Sequence, residues 1–241
     1  MAAVAWVWLS ESAAVMATMR GDGILLALAG AMMEPAAATP YLAASALMWV
    51  VMMAAMMTPA VLPVVLVFFR LERGGGARAA RLDGALFAGG YLTVWFAFGL
   101  AATALQWALH DSAMLETDAL AARPILGGSI LLAAGVYQLT PFKAACLSHC
   151  QNPLAFLLGH WRDGRWGAMR MGMRHGTYCV GCCWALMLLM FVAGVMSVAA
   201  MAVLSLFVLG ERVLPPGPWT ARIPGVALVA WGVWTLARAA G

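Results

Sequence analysis

Apolar runs long enough for a membrane-crossing helix of about 20 residues recur along this chain at 42–69, 84–109, 124–142 and 222–239. A longer run at 177–210 divides near Gly194 into two. Such a chain has no ordinary water-soluble core: 64% of its 241 residues are hydrophobic and 10% are charged, against about 25% charged in soluble domains. None of the runs alternates polar and apolar residues as a membrane β-strand does. The expected fold is therefore all-α, a polytopic transmembrane helical bundle of six to seven spans. At the N-terminus, AAVAWVWL opens an apolar run that Glu11 interrupts, so residues 1–40 read as a partial first span or an interfacial helix plus an outer loop. Residues 41–241 read as a single transmembrane domain. Nothing basic precedes Arg20, which argues against a secretory signal peptide.

A net charge of +4 would suggest nucleic acid in a soluble protein, but here the basic residues sort by loop. Arg70, Arg73, Arg78 and Arg81 fill one; Lys143, Arg162, Arg165, Arg170 and Arg174 fill a second; Arg212 and Arg222 flank a third. Between the first two, 110–123 carries Asp111, Glu116 and Asp118 against Arg123. The positive-inside rule places the basic loops in the cytoplasm and the acidic one outside. The partner this implies is the lipid bilayer, not nucleic acid. The long connection 143–174 is expected to hold a short interfacial helix around Pro153–His160, with Trp161 and Trp166 at headgroup level. Pro215, Pro216, Pro218 and Pro224 make a stiff turn before the last span.

All five cysteines fall within 146–183, in two groups that flank that connection. Cys146, His149 and Cys150 are spaced i, i+3, i+4; His175, Cys179, Cys182 and Cys183 are spaced i, i+4, i+7, i+8. Each set shares one helical face, and on consecutive antiparallel helices the two faces can meet at one depth. Thiolate and imidazole meeting there form a metal site. The plain alternative is cysteine as a small buried hydrophobe, but scattered placement would not pair both groups with histidine. His110 reads as a solvated helix end, and His160 as an interfacial residue able to swing in as a further ligand.

The 18 methionines are also unevenly spread. Met52 stands over Met56 and Met53 over Met57 at i+4, while Met187 and Met190 continue the Cys183 stripe. Thioethers are soft, uncharged donors that suit Cu(I), so these six residues mark a candidate metal path. Copper as Cu(I) is favoured; zinc or an iron–sulfur cluster also fits the cysteines. No phosphate-binding loop, G-x-S-x-G elbow or C-x-x-C-H motif is present.

Three blocks carry a family resemblance: Trp49 to Pro59 (WVVMMAAMMTP), Tyr137 to Pro153 (YQLTPFKAACLSHCQNP) and Arg174 to Trp184 (RHGTYCVGCCW). Together, over about residues 40–215, they resemble the bacterial and archaeal predicted metal-binding integral membrane proteins, a domain of unknown function. The resemblance implies metal binding by the Cys and His positions, in a multi-pass protein of a bacterial or archaeal inner membrane. The expectation is a membrane protein that handles Cu(I), moving it across the membrane or delivering it to a cuproenzyme. Two alternatives stand beside it: a membrane thiol or iron–sulfur redox protein, and an accessory subunit of a larger membrane enzyme with a structural metal.

Overall fold

A computed structural model of the chain describes residues 2–18, 24–71, 76–116, 120–214 and 218–240. In order, the helices are α1 (Ala2–Thr18), α2 (Ile24–Met33), α3 (Ala38–Leu71), α4 (Gly76–Asp111), α5 (Pro124–Gln138), α6 (Pro141–Gln151), α7 (Pro153–His160), α8 (Gly164–Met187), α9 (Met190–Ala193), α10 (Val198–Val213) and α11 (Pro218–Ala240). A two-residue antiparallel ladder, β1 (Leu115–Glu116) with β2 (Ala121–Ala122), closes the turn between α4 and α5. The described residues are thus all-α but for that ladder. The expectations for Arg73, Asp118, Pro215 and Pro216 lie outside the described residues.

Proline and cap residues set the boundaries. Pro124, Pro141 and Pro153 each sit in the first turn of their helices, where the missing N–H costs nothing. Thr140 caps α6 by accepting from the Lys143 backbone N–H, and Ser197 caps α10 by accepting from Ala200. The expected division of 177–210 falls at Gly194, whose φ of 88° lies in the region open to glycine.

Four stretches, Ala38–Leu71, Arg78–Asp111, Gly164–Ala193 and Arg222–Ala240, are long and apolar enough to cross a membrane. The number is five if α5 and α6, bent by 66°, count as one span. Six to seven were expected. The shortfall lies in α10, whose 16 residues reach about 24 Å at 1.5 Å per residue, and in α1 and α2, with 17 and 10 residues. The segment 143–174, expected to be a loop, is instead α6, α7 and the first turns of α8, with a helix at Pro153–His160 as anticipated. Its arginines signalled water, not loop, because arginine is a good helix former. α3 and α4, with 34 and 36 residues, also outrun a hydrocarbon layer of about 30 Å, and the basic half of α8 packs along α4.

Glycine sets the two closest helix pairs. In α4 and α8, a Cβ at Gly90 would collide with the Met169 carbonyl, and one at Gly172 with the Phe87 carbonyl. In α5 and α11, Gly135 faces the Gly225 carbonyl and Gly232 faces that of Gly128. Such small residues let backbones touch. The outward faces are apolar: Leu62, Leu66, Leu100, Trp231 and Trp234 are all exposed.

At the end of α3 and α4 nearer the ladder, Trp49 Nε1 donates to Gln106 Oε1 at 2.7 Å, and Gln106 Nε2 donates to Tyr41 at 3.1 Å. His110 Nδ1 lies 3.2 Å from the same Tyr41 hydroxyl. His110 is therefore buried in a polar network, not solvated as the sequence suggested.

Gly172→Val should lower the unfolding midpoint in detergent by the equivalent of about 1 to 3 kcal/mol, the range for overpacking, because its neighbour is backbone that cannot rotate away. Gly89→Ala, one residue before Gly90 but facing open space, should leave the midpoint unchanged or raise it slightly.

Candidate metal centre

The first cysteine group stands on α6 and the second on α8, and the bend at Leu139–Thr140 brings α6 across α8. Cys150, Cys179, Cys182 and Cys183 are all buried, and all five cysteines are free thiols. Cys150 belongs to the same buried core as the three thiols of α8. The Cys182 and Cys183 thiols each donate to the Cys179 carbonyl, at 3.1 and 3.0 Å. Tyr91 Oη, from α4, is 2.9 Å from Cys179 Sγ and 3.5 Å from the Met57 carbonyl. Of the expected set, Cys150, Cys179, Cys182 and Cys183 thus share one buried region.

The rest of the expected set divides. Cys146 is half-buried and packs on Gly181, where a Cβ would stand 2.8 Å from its sulfur. His175, one turn before Cys179, is completely buried, and neither ring nitrogen has a hydrogen-bond partner. Its ring is surrounded by Phe87, Tyr91 and Phe156. His149 stacks on Tyr178, with ring centroids 4.0 Å apart. Among the described residues, no group of three or more His, Cys, Asp or Glu side chains stands in a metal-holding arrangement.

What occupies the middle of the thiol cluster is an arginine. Arg212, near the end of α10, donates from Nη2 to Cys179 Sγ at 2.5 Å, lies 3.9 Å from Cys182 Sγ, and donates from Nη1 to the Ala60 carbonyl at 3.1 Å. That carbonyl lies between Pro59 and Pro63, both inside α3; prolines remove backbone donors and open a helix to outside partners. Next to it, Glu211 forms an ion pair with Lys143 at 2.5 Å and also accepts from Gln138. The pair is 1% and 4% exposed. Lys143 and Arg212 were expected in cytoplasmic loops; both are buried. The available signal was the Glu211–Arg212 doublet closing one apolar run and Lys143 closing another, opposite charges at the rims of spans that must pack together.

Six methionines extend the cluster. Met52, Met53, Met56, Met57, Met187 and Met190 are all at most 1% exposed and belong to one apolar core with the cysteines. Along α3 they occupy the turns between the Met57 level, where Tyr91 meets Cys179, and Trp49, whose ring lies 5.4 Å from that of Phe191 just beyond Met190. Soft donors therefore line the interior from the thiols toward the opposite end. That donor chemistry fits Cu(I).

A family model described as PpoB2, copper chaperone, matches residues 46–235. No curated protein and no solved structure matches the chain.

Because breaking a buried ion pair strands one charge, Lys143→Met should cost about 3 to 5 kcal/mol of stability. The double variant Lys143→Met/Glu211→Met should recover most of that loss. Chemical unfolding in detergent micelles reads both.

Proposed function

The chain belongs to the PpoB2 copper chaperone family, and from that premise we propose that it is a multi-pass membrane protein that takes Cu(I) at its buried thiols and hands it on, across the membrane or to a cuproenzyme. The observation that carries this reading is the meeting of Cys150 with Cys179, Cys182 and Cys183 in a dry cluster that continues into thioethers. Cys146 and His175 stand beside it as further donors. The long apolar helices with outward leucines and tryptophans support a membrane location, and the resemblance to bacterial and archaeal membrane proteins is the ground for proposing an inner membrane.

Charge supports the choice of ion. Two thiolates around Cu(I) carry one net negative charge, which a single buried guanidinium balances. The same thiolates around Zn(II) are neutral and leave Arg212 without an anion, a costly state in a dry interior. Among the described residues no carboxylate pairs with Arg212, since Glu211 is held by Lys143. The methionines point the same way, because a zinc site has no use for thioethers.

In reducing buffer the purified protein is expected to retain Cu(I) with sulfur ligation, and Cys179→Ser/Cys182→Ser to lose the sulfur-bound ion while staying folded. Met52→Leu/Met56→Leu conserves volume; it should keep the thiol-bound ion yet fail to support copper tolerance or cuproenzyme activity in cells. Zinc in place of copper would favour a structural metal in a membrane subunit. The visible absorption of an iron–sulfur cluster would favour a redox protein.

A further inference from the structure

His149 and His160 are not part of the thiol cluster, and their surroundings have a pattern of their own. His149 lies on α6 and His160 ends α7, and both line a cleft with Ser148, Asn152, Ala155 and Phe156. Each ring is anchored in the same way. His149 Nδ1 is 2.9 Å from the Ala145 carbonyl, and His160 Nδ1 is 2.9 Å from the Phe156 carbonyl, in both cases four residues back along the chain. A carbonyl accepts only, so each Nδ1 carries the proton and each Nε2 keeps a free lone pair. This is how metal-binding histidines are usually oriented, through a backbone hydrogen bond from the other ring nitrogen.

Spacing agrees with the anchoring. The two ring centroids are 6.4 Å apart. With metal–nitrogen bonds of about 2.0 to 2.1 Å, a near-linear bridge through both Nε2 atoms sets imidazole centroids about 6 Å apart.

A second observation lies directly inward. Phe156 touches His160 on one side, with centroids 5.0 Å apart, and His175 on the other, at 4.9 Å. His175 is the wholly buried imidazole with both nitrogens unpartnered. A polar ring left unsatisfied in an apolar shell costs free energy and calls for a ligand. From His175 the next turn of α8 is Cys179.

We propose that His149 and His160 form a second, solvent-accessible copper site that captures Cu(I) ahead of the buried thiols, with His175 standing between the two. The capture site binds through nitrogen alone; the thiol cluster binds through sulfur. No redox step is involved, since copper stays Cu(I) throughout; it leaves neutral imidazole nitrogens for thiolates, and the thiol protons are released as the sulfurs bind the metal. The order of transfer rests on the thiol reading above, but binding at the histidine pair does not.

The test uses the full chain in detergent under reductant, titrated with Cu(I) in competition with a chromophoric Cu(I) chelator, and followed by X-ray absorption at the copper edge. Wild type should bind one equivalent at the thiols and one at the histidines. Cys150→Ser/Cys179→Ser/Cys182→Ser should retain one equivalent with nitrogen and no sulfur neighbours. His149→Ala/His160→Ala should lose that equivalent, keep the sulfur-bound one and load it more slowly. His149→Gln alone, which keeps size and polarity, should weaken the nitrogen site at least tenfold without altering the unfolding midpoint. A thiol variant that binds no copper, or one whose residual copper survives the added histidine substitutions, overturns the capture site and leaves the thiol reading intact. A histidine variant that binds no sulfur-ligated copper, beside a thiol variant that retains the nitrogen-bound ion, leaves the pair standing and overturns the thiol reading.

Discussion

A guanidinium buried among thiols is the constraint on which the rest of this structure depends. Arg212 has no carboxylate partner among the described residues; its hydrogen bonds go to the Cys179 and Cys182 sulfurs and the Ala60 carbonyl. A charge placed so far from water has to be offset by everything around it. The proline-loosened stretch of α3 supplies a carbonyl, α8 supplies polarisable sulfur, and the neighbouring acid is already neutralised by Lys143. Removing any one of these leaves the guanidinium short of a partner, so α3, α6, α8 and α10 are tied at one point for an electrostatic reason rather than a packing one.

Much of this arrangement was legible in the sequence, and for a definite reason. Long apolar runs announce membrane-length helices because lipid admits little else, and the break at Gly194 and the helix at Pro153–His160 follow from punctuation by glycine and proline. The Cys and His spacings told which residues share a helical face. They did not tell which way each face turns: Cys150 is buried with the α8 thiols, whereas His149, one position earlier, stacks on Tyr178. Adjacent helical positions differ by about 100°, so a ligand group that looks continuous in sequence can straddle two surfaces.

Charge misled where it marked the ends of spans. Arginines and lysines near the end of an apolar run usually mean contact with water, and Arg70 and Arg174, though helical, are exposed as that rule requires. Lys143 and Arg212 do not, because α5 bends into α6 and α10 is short, so both residues are carried back into the bundle. Only the tertiary arrangement separates these two from their neighbours. Burial of His110 beneath Tyr41 has the same origin: a helix end need not be a protein surface.

The two sides of the thiol cluster differ mechanically. Cys179, Cys182 and Cys183 are on α8, whose glycines lock it backbone to backbone against α4, the helix that carries Tyr91. Neither helix can rotate or slide there without steric overlap. Cys150 is on α6, beyond the 66° bend and joined to α7 by the Asn152–Pro153 link. One wall is thus set by backbone contact, and the other by side chains that reach α10 from both ends of α6, Lys143 to the Glu211 carboxylate and Gln151 to the Glu211 carbonyl.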